Sequence, residues 1–343
     1  MSDSDSDSNS PHISHKNSSE IAADIGQFLR QRQDNGKKGR KSKANINNND
    51  GPLAPFIKVA RWIPLAIDPF INLHDVFMMG LQGWSGQRER MTVDEQYKCI
   101  VFENIVPLMP DLVSIISEFS KDAKTFQAMV TQMTKAVAGI RSSDAMTFKR
   151  SMSTYIVPNE ESKVQYLIPN FGQKQLWGWN HRVTRRFMCP MRLLSKFDAN
   201  PQEFLDRASD YPMFLYDESK YDPRNVYSGL FQGQLLLKFY RHVFTGPSSW
   251  NNGKSSGGKK PWGLVNRLEE PTARTITYVA VMVRWALSAS KDFCTNDDNS
   301  FNLVDLYHNI LIAFNERIDY KGDVVLEKST QEWIEATLRW WKM

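Results

Sequence analysis

The stretch TITYVAVMV, residues 275–283, decides the fold class, because it is the only run in the chain dense enough in β-branched residues to pass for a strand. Strands of roughly four to eight residues end at turn signals. This run instead passes straight into RWALSAS, residues 284–290. A helix buried on nearly all sides accommodates that length and places the segment inside a core. No other stretch alternates convincingly with period two, and no Asn-Gly or Asp-Gly turn joins two alternating runs.

From Gly51 onward the pattern is helical. Thr92-Val-Asp-Glu95 is a capping box that opens EQYKCIVFENIV, and Pro107 and Pro110 stop that helix near Val106. Asp111 opens DLVSIISEF, and FQAMVTQMTKAVAGI follows with an i, i+3, i+4 apolar stripe. Asn200-Pro201 reads as a cap with proline at the first helical position. Leu303, Leu306, Tyr307, Ile310, Leu311 and Phe314 form another broad stripe. Ser329-Thr-Gln-Glu332 is a second capping box, before EWIEATLRWWK. The expectation is an all-α, multi-helix globular domain over residues 53–343, divisible into two lobes at about 53–157 and 178–343.

Residues 1–52 are a different material. Ser, Asp, Asn, Lys and Gly dominate them, and such a composition cannot bury enough apolar surface to offset the entropy of ordering. They are expected to form a disordered polar tail. Within it Ile21, Ile25, Phe28 and Leu29 recur at helical spacing and predict a transient or partner-docked helix. The cluster KKGRKSK, 37–43, has the composition of a nuclear import signal or a phosphate-binding arm.

The composition narrows the function classes. With 41% apolar and 24% charged residues the chain has the material for a sizeable core. A formal charge of +5 permits nucleic acid or acidic partners without demanding them. Cys99, Cys189 and Cys294 are sparse and odd in number, which fits a reducing, intracellular compartment. None has a His or Cys neighbour at zinc-ligand spacing, so neither a metal nor another cofactor is expected. The most apolar segment, YVAVMVRWAL, is interrupted by Arg284 and falls far short of the roughly 20 residues that span a bilayer, so no membrane segment is expected.

WNHRVTRRFMCPMR, FLYDESKYDP, GLFQGQLLLKFYRHVFTGPSS, VRWALSAS and the terminal WW together resemble an uncharacterised family of mushroom-forming fungi. Its members share N-H-x-V-T…C-P, F-L-Y-D-E and R-H-I/V-F-T-G-P-S-S segments. The resemblance runs from about Phe56 to Trp341 and implies a fungal, helical, intracellular protein. The family carries no established activity, so the resemblance assigns no residue a role.

Two segments offer chemistry. In GWNHRVTRRFMCPMRLL, Asn180 is placed to cap a helix on which Arg182, Arg185 and Arg186 share a face, with Trp177 and Trp179 just upstream. Arginines interleaved with aromatics suit phosphates and base stacking; the alternative is a short amphipathic helix with core tryptophans and paired arginines. In GLFQGQLLLKFYRHVF, Gln234, Lys238, Arg241, His242 and Thr245 form a polar stripe opposite an apolar face. Gly246-Pro247 is a helix stop, which makes His242 with Ser248 or Ser249 a poor nucleophile–base pair.

The loop beyond carries Lys254, Lys259 and Lys260. Its Gly253-Lys254-Ser255 fails the phosphate-loop spacing and follows a helix instead of a strand. Residues 296–300, NDDNS, read as a helix cap rather than a calcium loop, and Asp217 and Glu218 as turn chemistry. The sum is a helical binding module. Nucleic acid is the favoured partner and another protein the alternative, with an anion-binding enzyme near Arg241 and His242 as the outside case. The oligomeric state is left open.

Overall fold

Residues Ala273–Leu287 form a helix, and every one of them is buried. The β-branched run therefore folds as its length demands. Its start is locked by a capping box in which the Thr272 hydroxyl accepts from the Thr275 amide (3.3 Å) and the Thr275 hydroxyl accepts from the Thr272 amide (3.0 Å). The Thr277 hydroxyl donates to the Ala273 carbonyl at 2.7 Å, so this buried polar group is satisfied within the helix. The weak helix propensity of its β-branched residues is overridden by packing on all sides.

This computed structural model describes residues 16–37, 51–84, 86, 90–119, 122–156, 168–200, 210–246, 249, 261–296, 301–316, 319 and 326–342. In chain order the α-helices among them begin with α1 (Ser18–Lys37), α2 (Ala54–Ala66), α3 (Leu73–Trp84) and α4 (Val93–Ile105). Next come α5 (Leu112–Glu118), α6 (Ala123–Ile156), α7 (Arg182–Met188) and α8 (Leu194–Ala199). The last are α9 (Gln234–Phe244), α10 (Trp262–Val265), α11 (Ala273–Leu287), α12 (Leu303–Ala313) and α13 (Lys328–Trp341). Short 3-10 turns connect several of them, and the described residues contain isolated bridge pairs but no strand. The fold is all-α. None of these helices is by itself long and apolar enough to cross a membrane.

Two apolar clusters form the interior. The first gathers α1 to α5 and the first half of α6, up to Val137. The second takes the rest of α6 from Ala145, then α7 to α9 and α11 to α13 around the central α11. At 34 residues α6 is about 51 Å long, enough to belong to both. Helix α2 is shared as well, with Ile63 facing the first cluster and Trp62 and Leu65 facing the second. The line between the cores thus runs through α6, not after residue 157.

The N-terminal segment departs most from its sequence. Helix α1 packs on α5 and α6 with Ala22, Ile25 and Leu29 buried in the first cluster. The apolar stripe legible at 21–29 has found its surface inside the chain, so residues 18–33 belong to the domain. The expectation for 1–15 and for the basic cluster falls almost wholly outside the described residues. Burial of a large aliphatic side chain is worth about 1.5–3 kcal/mol. A chain starting at residue 52 is therefore expected to melt several degrees below the full chain, and Ile25→Asp to reproduce the drop. Differential scanning calorimetry checks this, and an unchanged melt would place α1 outside the cooperative unit.

Local signals were kept or overruled by tertiary packing. The Thr92 box forms, with Glu95 accepting from the Thr92 amide at 2.8 Å. The Ser329 box does not: α13 begins at Lys328 after Glu327, held by the Trp333 indole on the Tyr227 carbonyl (3.0 Å). Asn302 caps α12, accepting from the amides of Val304 and Asp305. That cap lies two residues beyond the NDDNS cluster, most of which falls outside the described residues, as does the predicted helix after Asn200-Pro201.

Candidate functional site

Helix α7 is short and held by side chains. His181, not Asn180, is its N-cap, with Nδ1 accepting from the Val183 amide (3.3 Å), while the Asn180 amide group donates to the Gln175 carbonyl. The Thr184 hydroxyl donates to the Gly178 carbonyl at 2.7 Å. Val183, Thr184 and Met188 face the core, leaving Arg182, Arg185 and Arg186 on the outer face as their spacing predicts. Trp177 has no exposed surface and donates from Nε1 to the Pro169 carbonyl at 2.8 Å. A ring with no free face cannot stack a base, so Trp177 leaves the nucleic-acid set. Trp179 is partly buried against the same cluster.

The three arginines then divide. Arg186 bridges Glu218 (2.7 Å) and Asp198 (3.3 Å). Arg182 is exposed, and neither it nor Arg185 makes an ion pair among the described residues. The Arg185 guanidinium lies 5.9 Å over the Phe197 ring, and its Nε is buried without a hydrogen-bond partner.

These side chains rim a cleft of about 840 Å³. The outer face of α7 forms one side, and Gln234, Leu235 and Lys238 of α9 form the other. Tyr155 and Ile156 at the end of α6 and Phe197 of α8 close the inner end. The turn Met213–Ser219 supplies the remaining wall. That turn fits because a β-carbon at Gly233 would lie 2.0 Å from the Phe214 carbonyl oxygen; only glycine lets α9 start there. Asp217 accepts from the Ser219 amide and hydroxyl, the turn chemistry expected of it, and pairs with Lys220 at 3.1 Å. Glu218 turns out to be the partner of Arg186.

The polar stripe of α9 does not stay together. Gln234 and Lys238 line the cleft, and the Lys238 ammonium donates to the Tyr155 carbonyl at 2.9 Å, with burial lowering its pKa. Arg241 lies outside the cleft lining. His242 is buried, its Nδ1 hydrogen-bonded with the Tyr155 hydroxyl. It belongs to the interior, not to a solvated face. Gly246, at φ +114°, ends the helix as predicted, and the buried Ser249 hydroxyl bonds the Gly246 carbonyl and Thr245 instead of His242. Ser248, Lys254, Lys259 and Lys260 lie outside the described residues. Among those described, no three His, Cys, Asp or Glu gather as a metal site.

Burial holds the His242 imidazole down at about 4. Between pH 6.5 and 4 the unfolded chain takes up a proton that the folded chain refuses, so stability falls as pH is lowered through that window. Asp144 acts in the opposite sense. Burial, against the hydrogen bond from Tyr278 (2.7 Å), pushes its carboxyl up to about 6. The folded chain then keeps a proton that the unfolded chain loses above 3.8, and stability falls as pH rises from there to about 6. The two effects oppose each other. Asp144→Asn removes the second, so the variant is expected to gain on the order of 1–2 kcal/mol at pH 7 and to lose stability more steeply than wild type between pH 6 and 4. Urea midpoints across that range check it; parallel curves would overturn it.

A profile describing a family of unknown function, DUF6698, matches residues 135–343. The chain belongs to that family. DUF6698 begins within α6, close to where that helix enters the second cluster, and takes in every residue lining the cleft. The first two of the motifs that carried the resemblance, at 180–190 and 214–218, both contribute to the cleft lining and are joined by the Arg186–Glu218 ion pair, and the third begins on α9 beyond it. No curated protein and no solved structure matches the chain. The cleft itself, with Tyr155, Phe197 and Tyr216 in its lining, escaped the sequence, because its walls come from segments up to 83 residues apart, as the Lys238–Tyr155 bond illustrates.

Proposed function

We propose that the chain is a helical binding module whose working surface is the cleft between α7 and α9, and that it takes an acidic segment of a protein partner. One observation carries this. Arg182 and Arg185 stand over an apolar floor with no carboxylate partner among the described residues, while Arg186 beside them is fully engaged. Cations without counter-charges at the rim of an apolar cleft supply specificity when a ligand brings the charge. An apolar cleft with a few convergent polar groups is the usual form of a binding site. Nucleic acid, the partner suggested by arginines interleaved with tryptophans, loses one of its two stacking rings with Trp177 buried. A nuclear site of action, on the basic cluster at 37–43, is part of the same proposal.

The test uses the full chain immobilised in cell extract, with and without nuclease, beside the double variant Arg182→Glu/Arg185→Glu. Partner proteins are expected to survive nuclease and to be lost with the variant. Retention by the variant would remove the cleft from the interaction, and loss on nuclease treatment would restore the nucleic-acid reading.

A further inference from the structure

The charges around the cleft describe the ligand more closely. Each carboxylate lining it is already ion-paired: Asp198 and Glu218 with Arg186, and Asp217 with Lys220. Arg182 and Arg185 remain, about one helical turn apart on the same face of α7. The buried Arg185 Nε has no acceptor among the described residues, which is costly for a cationic donor unless a ligand supplies one. Across the cleft, α9 starts at Gly233, which offers no side-chain oxygen to its first amides, so Gln234 and Leu235 bring an uncapped helix start to the wall. Lys238 adds a third cation one turn further on.

We infer that the cleft holds a subsite for a phosphate monoester carried on a protein side chain, gripped by Arg182 and Arg185 and faced by Lys238 and the first turn of α9. This rests on the cleft being the working surface. A single carboxylate would leave the two guanidiniums of Arg182 and Arg185 undercompensated. A phosphate monoester carries a charge of about −1.5 to −2 and three strong acceptor oxygens, which guanidinium forks match. The apolar lining, with Ile156, Phe187, Phe197 and Leu235, receives the residues flanking the phosphate. A nucleic-acid phosphate is a diester of charge −1 and offers the subsite less.

The experiment titrates the full chain with N-acetyl-O-phosphoserine methylamide, N-acetylglutamate methylamide, inorganic phosphate and a single-stranded oligonucleotide. Calorimetry gives affinities, and the NMR signal of the Arg185 Nε–H reports the subsite. The phosphoserine derivative is expected to shift that signal and to bind about ten-fold tighter than the glutamate derivative. Arg185→Lys, which keeps the charge and loses the fork, should cost about ten-fold for the phosphoserine derivative. Arg182→Gln should weaken binding as well, with the melting curve of each variant confirming its fold.

Equal affinity for the glutamate derivative, or binding unaffected by Arg185→Lys, would overturn the subsite. Inorganic phosphate binding as tightly as the phosphoserine derivative would make it a free-anion site. Preference for the oligonucleotide, steepening at low salt, would assign it to nucleic acid. Leu235→Trp, which fills the cleft, separates the two claims. If it abolishes partner capture while no phosphate probe binds, the cleft stands and the subsite falls. If capture also survives it, both fall.

Discussion

Replacing Lys174 with methionine is expected to cost about 3–5 kcal/mol of folding free energy, an unusual loss for a lysine, because this one is the buried end-piece of α11. Its ammonium is almost wholly inside the protein and donates to the carbonyls of Trp285 (3.0 Å), Ser288 (2.5 Å) and Ser290 (2.7 Å). It also lies 4.4 Å over the Trp285 ring. The last carbonyls of a helix have no partners within it and carry its negative pole. Here that pole is buried, so solvent cannot serve it. Methionine fills the same space but takes this donor from the Ser288 and Ser290 carbonyls, at about 1–3 kcal/mol for each one left unmet, while the Trp285 carbonyl keeps the Ser288 amide and hydroxyl. Arginine is not a substitute, since its planar fork cannot address three converging carbonyls. Urea denaturation checks this, and a loss under about 1 kcal/mol would mean that water reaches the helix end.

Lys174 also shows where the sequence stops being legible. Signals contained within one turn of chain were sound: the Thr92 box, the Gly246 stop and the length of the 275–290 run all depend on neighbours within a few residues. What failed depends on a distant partner. The stripe at 21–29 announced a helix but not that α5 and α6 would cover it. The arginines at 182, 185 and 186 read as equivalent, and only Asp198 and Glu218, 12 and 32 residues away, take Arg186 out of the set. His242 read as part of a polar face because the Tyr155 hydroxyl that holds it lies 87 residues back. Charge and periodicity give the faces of a helix; they do not say which face meets which.

The same distinction sets the result expected at Trp177 and its arginine neighbours. Trp177→Ala should destabilise the fold by about 3–5 kcal/mol, the range for removing a large aromatic from a core. The indole is buried in the second cluster, and its Nε1–H satisfies the Pro169 carbonyl, so truncation both opens a cavity and orphans an acceptor. Trp177→Phe keeps most of the volume and loses the hydrogen bond, for roughly 1–2 kcal/mol. Arg182→Glu lies on the exposed side of the same short segment and should move stability by no more than about 0.5 kcal/mol. Paired with binding assays, the three variants separate what the segment does for folding from what it does for recognition. The tryptophan variants should lose stability and keep affinity once corrected for the unfolded fraction, and the arginine variant should do the reverse. A Trp177→Ala protein that melts like wild type yet no longer binds would return the indole to the surface and, with it, the stacking role that its burial denies.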